Sequence, residues 1–268
     1  MSVLLGGVTV LAAWLTGRAL CPHDDLLPLA GAAITAFNPM FLFVTSSVNN
    51  DALVIALSAL CLWLMVRYVS RTPTRRQWVL LGVLLGLASL SKASALGLLA
   101  LAALTGAVVA WRARSWRVLI EAGVCIAVPL VLIGGWWYYR NWRLYRDPLG
   151  LNAFVAIVGA RHPVPTLRQL LGEWKGFVMS YWGFFGGVNV AAPGWVYWSL
   201  SALGLLGLAG VGAHICRQIR AGVRGWEAWA PFLLVALWPC VVFVSLVRWT
   251  LMTIASQGRL MFSGLTAL

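Results

Sequence analysis

Acid is scarce in this sequence: seven Asp and Glu stand against 20 Lys and Arg, and only 10% of the 268 residues are charged. A soluble domain would carry roughly a quarter charged residues. With 61% hydrophobic residues and a mean hydropathy of +0.86, a water-soluble globule is excluded. Histidine is nearly absent, and His23, His162 and His214 are far apart along the chain, which removes a histidine-based catalytic or metal centre. The five cysteines, Cys21, Cys61, Cys125, Cys216 and Cys240, form no CxxC pair, so neither a zinc site nor a disulfide framework is expected. No basic leader precedes the first apolar run, no internal repeat is apparent, and no low-complexity tract occurs.

What is present is a succession of apolar runs, each near the length needed to cross about 30 Å of hydrocarbon as helix. They are too long and too uniformly apolar for the alternating strands of a barrel. The expected fold is therefore all-α, a multi-pass transmembrane helical bundle. Spans are placed at about 3–20, 27–47, 51–69, 77–91, 93–111, 118–139, 195–213 and 230–252, eight in all, with the start of a ninth from Leu260. The chain divides into helices one to six (1–139), an extracytoplasmic loop (140–194), and helices seven, eight and the partial ninth (195–268). Within the loop, Leu167, Leu170, Leu171, Trp174, Phe177, Val178 and Tyr181 recur at helical spacing, predicting an amphipathic helix over about 166–182 lying at the interface.

Threading these spans puts Arg18, Arg67, Arg71, Arg75, Arg76, Arg112, Arg114, Arg117, Arg217, Arg220 and Arg224 in connections on one side. Short loops rich in arginine mark the cytoplasmic side, and they meet anionic lipid headgroups. The excess of base is thus explained by orientation, and nucleic acid is not expected as a partner. The opposite side is then external. Met1 falls there with no upstream segment, and the final run is about half a span. The expectation is that the chain is the interior of a longer protein.

The polar residues of the external side come from four separate connections. Asn49, Asn50 and Asp51 interrupt SSVNNDALVIALSAL. Lys92 stands in LASLSKASAL, Arg140 and Asn141 in WWYYRNWRLYRDPLG, and Gln257 and Arg259 in SQGRLMF. Each has a plain structural reading. Asn49–Asp51 suit a turn and a helix N-terminus, Lys92 can snorkel, the aromatic cluster suits an interfacial belt, and Asp147-Pro148 is a turn. Together they are cations around one carboxylate, which suits a phosphate or diphosphate headgroup. Asp51 is also the candidate ligand for a divalent cation, Mg or Mn. On the cytoplasmic side Glu121 is expected at the interface or paired with Arg117. Pro129 and Pro239 are candidate breaks in spans six and eight.

NPMFLFVTSSVNNDALVIALSALCLWLMVRY, GLASLSKASALGLL, WWYYRNWRLYRDPLG and SQGRLMF, in this order, resemble the integral-membrane GT-C glycosyltransferases. The likeness is to the bacterial relatives of protein O-mannosyltransferases and of aminoarabinose lipid A transferases (family 39-like). It implies an inverting transfer of sugar from a polyprenyl-phosphate donor to a lipid, glycan or protein acceptor at the outer face of the bacterial cytoplasmic membrane. The family's general base sits in a first external loop that precedes the first residue here, so this chain by itself is expected to lack it. Asp51 matches the family's second acidic position, a supporting acid and not the base. Asn50, Lys92, Arg140, Asn141 and Arg259 would bind the donor. The reading from another class is a transporter or lipid flippase. It predicts ionisable groups near mid-membrane, whereas here the span centres are apolar.

Overall fold

The computed structural model describes residues 1–222 and 225–267, so Arg224 and Leu268 of the expectations above lie outside the described residues. The described residues are almost entirely helical, and the chain is an all-α multi-pass membrane bundle. Among the described residues six helices are long and apolar enough to cross a membrane: α1 (Ser2–Leu20), α4 (Asn50–Val69), the run Ala93–Arg112 that ends in α6 (Gly97–Arg112), the run Trp116–Tyr145, α12 (Gly194–Arg220) and α13 (Trp226–Met252). A seventh is bent, because α2 (Leu26–Ala36) and α3 (Pro39–Ser46) meet at 60°. Pro39 cannot continue α2, and Asn38 restarts the chain by accepting from the Phe41 N–H at 3.0 Å. The remaining expected span is α5 (Arg75–Ser91), whose 17 residues are at the lower limit for crossing.

Two proline expectations are corrected. Pro129 lies in α7 (Trp116–Leu130), which runs through a π-turn at Val131–Gly135 into α8 (Trp136–Tyr145) as one 30-residue span. Pro239 likewise sits inside an unbroken α13.

Close helix contacts are made by glycine. A Cβ on Gly82 of α5 would lie 2.6 Å from the Ile126 carbonyl oxygen and 2.6 Å from Pro129 Cγ of α7. One turn on, a Cβ on Gly86 would meet Ile133 Cβ at 3.0 Å. In lipid, where burial of apolar surface does not drive helices together, such close approach supplies the packing attraction. Gly82→Ala is therefore expected to cost about 1–3 kcal/mol by overpacking. Gly7→Ala, at a position with nothing within 4 Å, should be neutral or slightly stabilising. Thermal unfolding of the detergent-solubilised protein checks the contrast.

The long loop differs from its expectation. It contains α9 (Leu151–Val158), α10 (Leu167–Gly172), α11 (Trp174–Trp182) and a two-stranded hairpin of β1 (Phe184–Phe185) and β2 (Val190–Ala191). The single helix expected over 166–182 divides at Glu173, which ends α10 and starts α11. Nor does α11 simply float at the interface. Phe177 and Tyr181 pack into the core, with the Tyr181 ring 5.4 Å from that of Phe262. Leu167, Leu171 and Trp174 stay exposed.

The partial ninth span is also corrected. Gly258–Ala267 is a 3-10 segment, and Gly258, Met261, Phe262, Ser263, Gly264 and Leu265 are buried. It packs against α4, α11 and α13.

Candidate functional site

Asn49, not Asp51, caps α4: its side-chain oxygen accepts from the Ala52 N–H at 3.0 Å, and its amide donates to the Val44 carbonyl at 2.8 Å. Of the Asn49–Asp51 trio expected at a helix N-terminus, Asn49 is thus the cap. Asp51 lies in the first turn, where a carboxylate suits the positive end of the helix dipole. Its side chain is free to turn outward, and Oδ1 stands 2.5 Å from Lys92 Nζ. Lys92 is the residue on which α5 ends, in extended conformation (φ −160°, ψ 134°) before the 3-10 turn Ala93–Leu96. Both side chains keep about a quarter of their surface open, 24% for Asp51 and 30% for Lys92.

The third member comes from the other end of the chain. Asp51, Lys92, Ser94, Arg259 and Ser263, with Val54, Ile55, Leu260 and Phe262, line one cleft of about 200 Å³, counting the part open to solvent. Gln257 fixes the guanidinium of Arg259, whose Nε donates to Gln257 Oε1 at 2.8 Å. Ser263 is 6% exposed, and its hydroxyl is a buried oxygen without a hydrogen-bond partner among the described residues. Its backbone is held, because its carbonyl accepts from Trp238 Nε1 at 2.7 Å. Nothing in LMFSGL distinguished this serine beforehand except a hydroxyl in an apolar run.

The other expected residues lie around this group and not in its wall. Asn50 stitches α4 to α5, its amide donating to the Ser91 carbonyl at 3.4 Å. Tyr138 donates to the Ser89 carbonyl at 2.6 Å, tying α8 to the end of α5. Arg140 lies over the Trp137 ring at 5.1 Å. Asn141 is buried and donates to the Pro148 carbonyl at 3.4 Å, bracing the turn after α8. Among the described residues, no group of three or more His, Cys, Asp or Glu is placed to hold a metal ion.

A second ionic cluster on this side had no signature in the sequence. Arg161 donates to both carboxylate oxygens of Glu173 and to the Thr250 carbonyl, and Ser256 also donates to Glu173. These bonds strap the loop and α11 to the end of α13. They hold the Glu173 carboxyl below its ordinary value, the Arg161 hydrogen bond being the largest cause. A carboxylate with a depressed native value contributes stability above its unfolded value, and loses it as pH falls through the depressed one. Acidification below about 4.5 is therefore expected to loosen α11, and Glu173→Gln should flatten that part of the pH profile. Hydrogen exchange across 161–182 as a function of pH reads it.

At the opposite end of the bundle Glu121 pairs with Arg75 at 3.0 Å and not with Arg117, and Arg112 lies 3.6 Å from Glu227. These pairs join different connections, whereas sequence spacing offers only partners on the same helix.

No curated protein and no solved structure matches the chain. One family, described as "Predicted membrane protein (DUF2142)", matches residues 2–264. Since that match spans nearly all of a chain that is a multi-pass helical bundle, the protein belongs to the DUF2142 family of membrane proteins.

Proposed function

We propose that the cleft beside Asp51 binds the phosphate of a polyprenyl-phosphate-linked sugar, at the outer face of a bacterial cytoplasmic membrane, for transfer of the sugar to a lipid, glycan or protein acceptor. The observation that carries this reading is that Lys92, Arg259 and the unpartnered hydroxyl of Ser263 converge on one open cleft from segments far apart in sequence. The glycosyl-transfer part rests on the likeness of four sequence stretches to GT-C glycosyltransferases, and Asp51, Lys92 and Arg259 stand in three of them.

In this reading the bond between the sugar's anomeric carbon and the phosphate oxygen breaks as the acceptor oxygen bonds to that carbon from the opposite face. Lys92 and Arg259 meet the charge that gathers on the departing phosphate. Ser263 donates to a phosphate oxygen, and Asp51 orients Lys92. The acceptor proton goes to a base that is none of these residues. A divalent cation is not part of the reading, because the only carboxylate in the wall already faces an ammonium group. Polar groups gathered at helix ends, and not at mid-helix, support transfer over transport.

Binding of a polyprenyl monophosphate probe to the purified protein in nanodiscs tests the proposal. Arg259→Gln should weaken it by about tenfold or more, the usual effect of losing a charge-assisted hydrogen bond. Ser263→Ala should weaken it by about fivefold while leaving stability unchanged or raised, since it deletes a buried oxygen that has no partner. Unchanged affinity in both variants sinks the proposal.

A further inference from the structure

A second cleft opens at the other end of the bundle, between the α4–α5 connection, the end of α6 and the start of α13. Arg71, Thr72, Val109, Arg112, Ala113 and Glu227 line it, and it encloses about 470 Å³ counting the part open to solvent. Arg112 is set in place from two directions. Its Nη1 donates to the Val69 carbonyl at the end of α4, and its Nε faces Glu227. Its other terminal nitrogen, the Arg71 guanidinium and the Thr72 hydroxyl have no partner among the described residues. The wall therefore offers two cations and a hydroxyl against one carboxylate.

The surroundings add to the same sign. Arg76, Arg114 and Arg117 stand in the adjoining connections and have no ionic partner among the described residues. Trp111 at the end of α6 and Trp226 at the start of α13 are exposed, as side chains at headgroup depth are.

We propose that this cleft is a binding site for a phosphoryl anion, presented by an anionic phospholipid of the adjoining leaflet or by a free phosphate of the same chemistry. Arg71 grips the phosphate as a bidentate fork, while Arg112 supplies a fixed second cation and Thr72 a neutral donor. Glu227 keeps Arg112 oriented and limits the site to a single anionic group. The site is independent of the one beside Asp51, and neither reading depends on the other.

The full chain in nanodiscs of phosphatidylcholine, with or without phosphatidylglycerol, provides the test, with retained lipid counted by native mass spectrometry. Phosphatidylglycerol should be retained over phosphatidylcholine by about fivefold, the effect of one basic side chain near a charged surface. Arg71→Gln should abolish the preference, whereas Arg220→Gln, which removes the same charge outside the cleft, should not. Arg112 is left intact because it also holds the Val69 carbonyl. A melting point raised by inorganic phosphate, together with no lipid preference and loss of that rise in Arg71→Gln, assigns the anion to the soluble source. Equal retention of both lipids with no response to phosphate overturns the proposal. So does an Arg220→Gln variant that loses as much as Arg71→Gln, since diffuse charge then suffices.

Discussion

Lys92→Glu is expected to abolish binding of a polyprenyl monophosphate probe and to lower the unfolding midpoint of the protein. The substitution sets a second carboxylate against Asp51, where an ammonium now stands at 2.5 Å. Breaking a fully buried pair costs about 3–5 kcal/mol and an exposed one under about 1. With roughly a quarter of each side chain open, about 2–3 kcal/mol is expected here. The exchange Asp51→Lys with Lys92→Glu separates folding from binding. It re-forms an ion pair and should recover most of the midpoint. It moves the ammonium from the end of α5 to the first turn of α4, so probe binding should stay weak. Full recovery of binding in the double variant would show that net charge alone, and not the position of Lys92, serves the cleft.

Gly258→Ala should detach α11 from the segment that carries Arg259. A Cβ at this position would lie 2.6 Å from Tyr181 Cβ and 2.8 Å from the Tyr181 nitrogen, and would also strike the Phe177 carbonyl. Two of these three atoms are backbone, so a rotamer change cannot relieve the clash. The Gly258 N–H donates to Ser180 Oγ at 2.7 Å in the same contact, and that bond would lengthen. The cost is expected at about 2–3 kcal/mol, the upper part of the range for overpacking plus a weakened buried hydrogen bond. Because Arg259 is the next residue, probe binding should fall with stability. Hydrogen exchange should report faster exchange in α11 while α4 and α5 are unchanged. A variant with native exchange in α11 would mean that the contact yields without detaching the helix.

The two variants act on different things, and that difference follows from how the site is assembled. Asp51 and Lys92 sit at helix ends that are legible in SSVNNDAL and LASLSKASAL: asparagine before an apolar run, and a cation where one apolar run gives way to the next. Gly258 carries no such mark. It lies between a glutamine and an arginine, and only the approach of α11 makes its missing side chain matter. The same holds for Glu173, which accepts from Arg161 and Ser256 at the point where the expected helix divides.

By itself the sequence determined the fold class, an all-α multi-pass membrane bundle, and most of the helices apolar enough to cross. These follow from local properties, since each helix satisfies its backbone internally and lipid requires only that its surface be apolar. Tertiary structure alone decided which polar groups meet. Lys92 reaches Asp51, and Arg259 with Ser263 joins them, because the final 3-10 segment folds back against α4. Arg140 lies over Trp137 of its own helix, Asn141 braces the turn after it, and Glu121 takes Arg75 from the start of α5. Helix order and register are set by close contacts such as Gly82 on α7, between surfaces that hydropathy cannot tell apart.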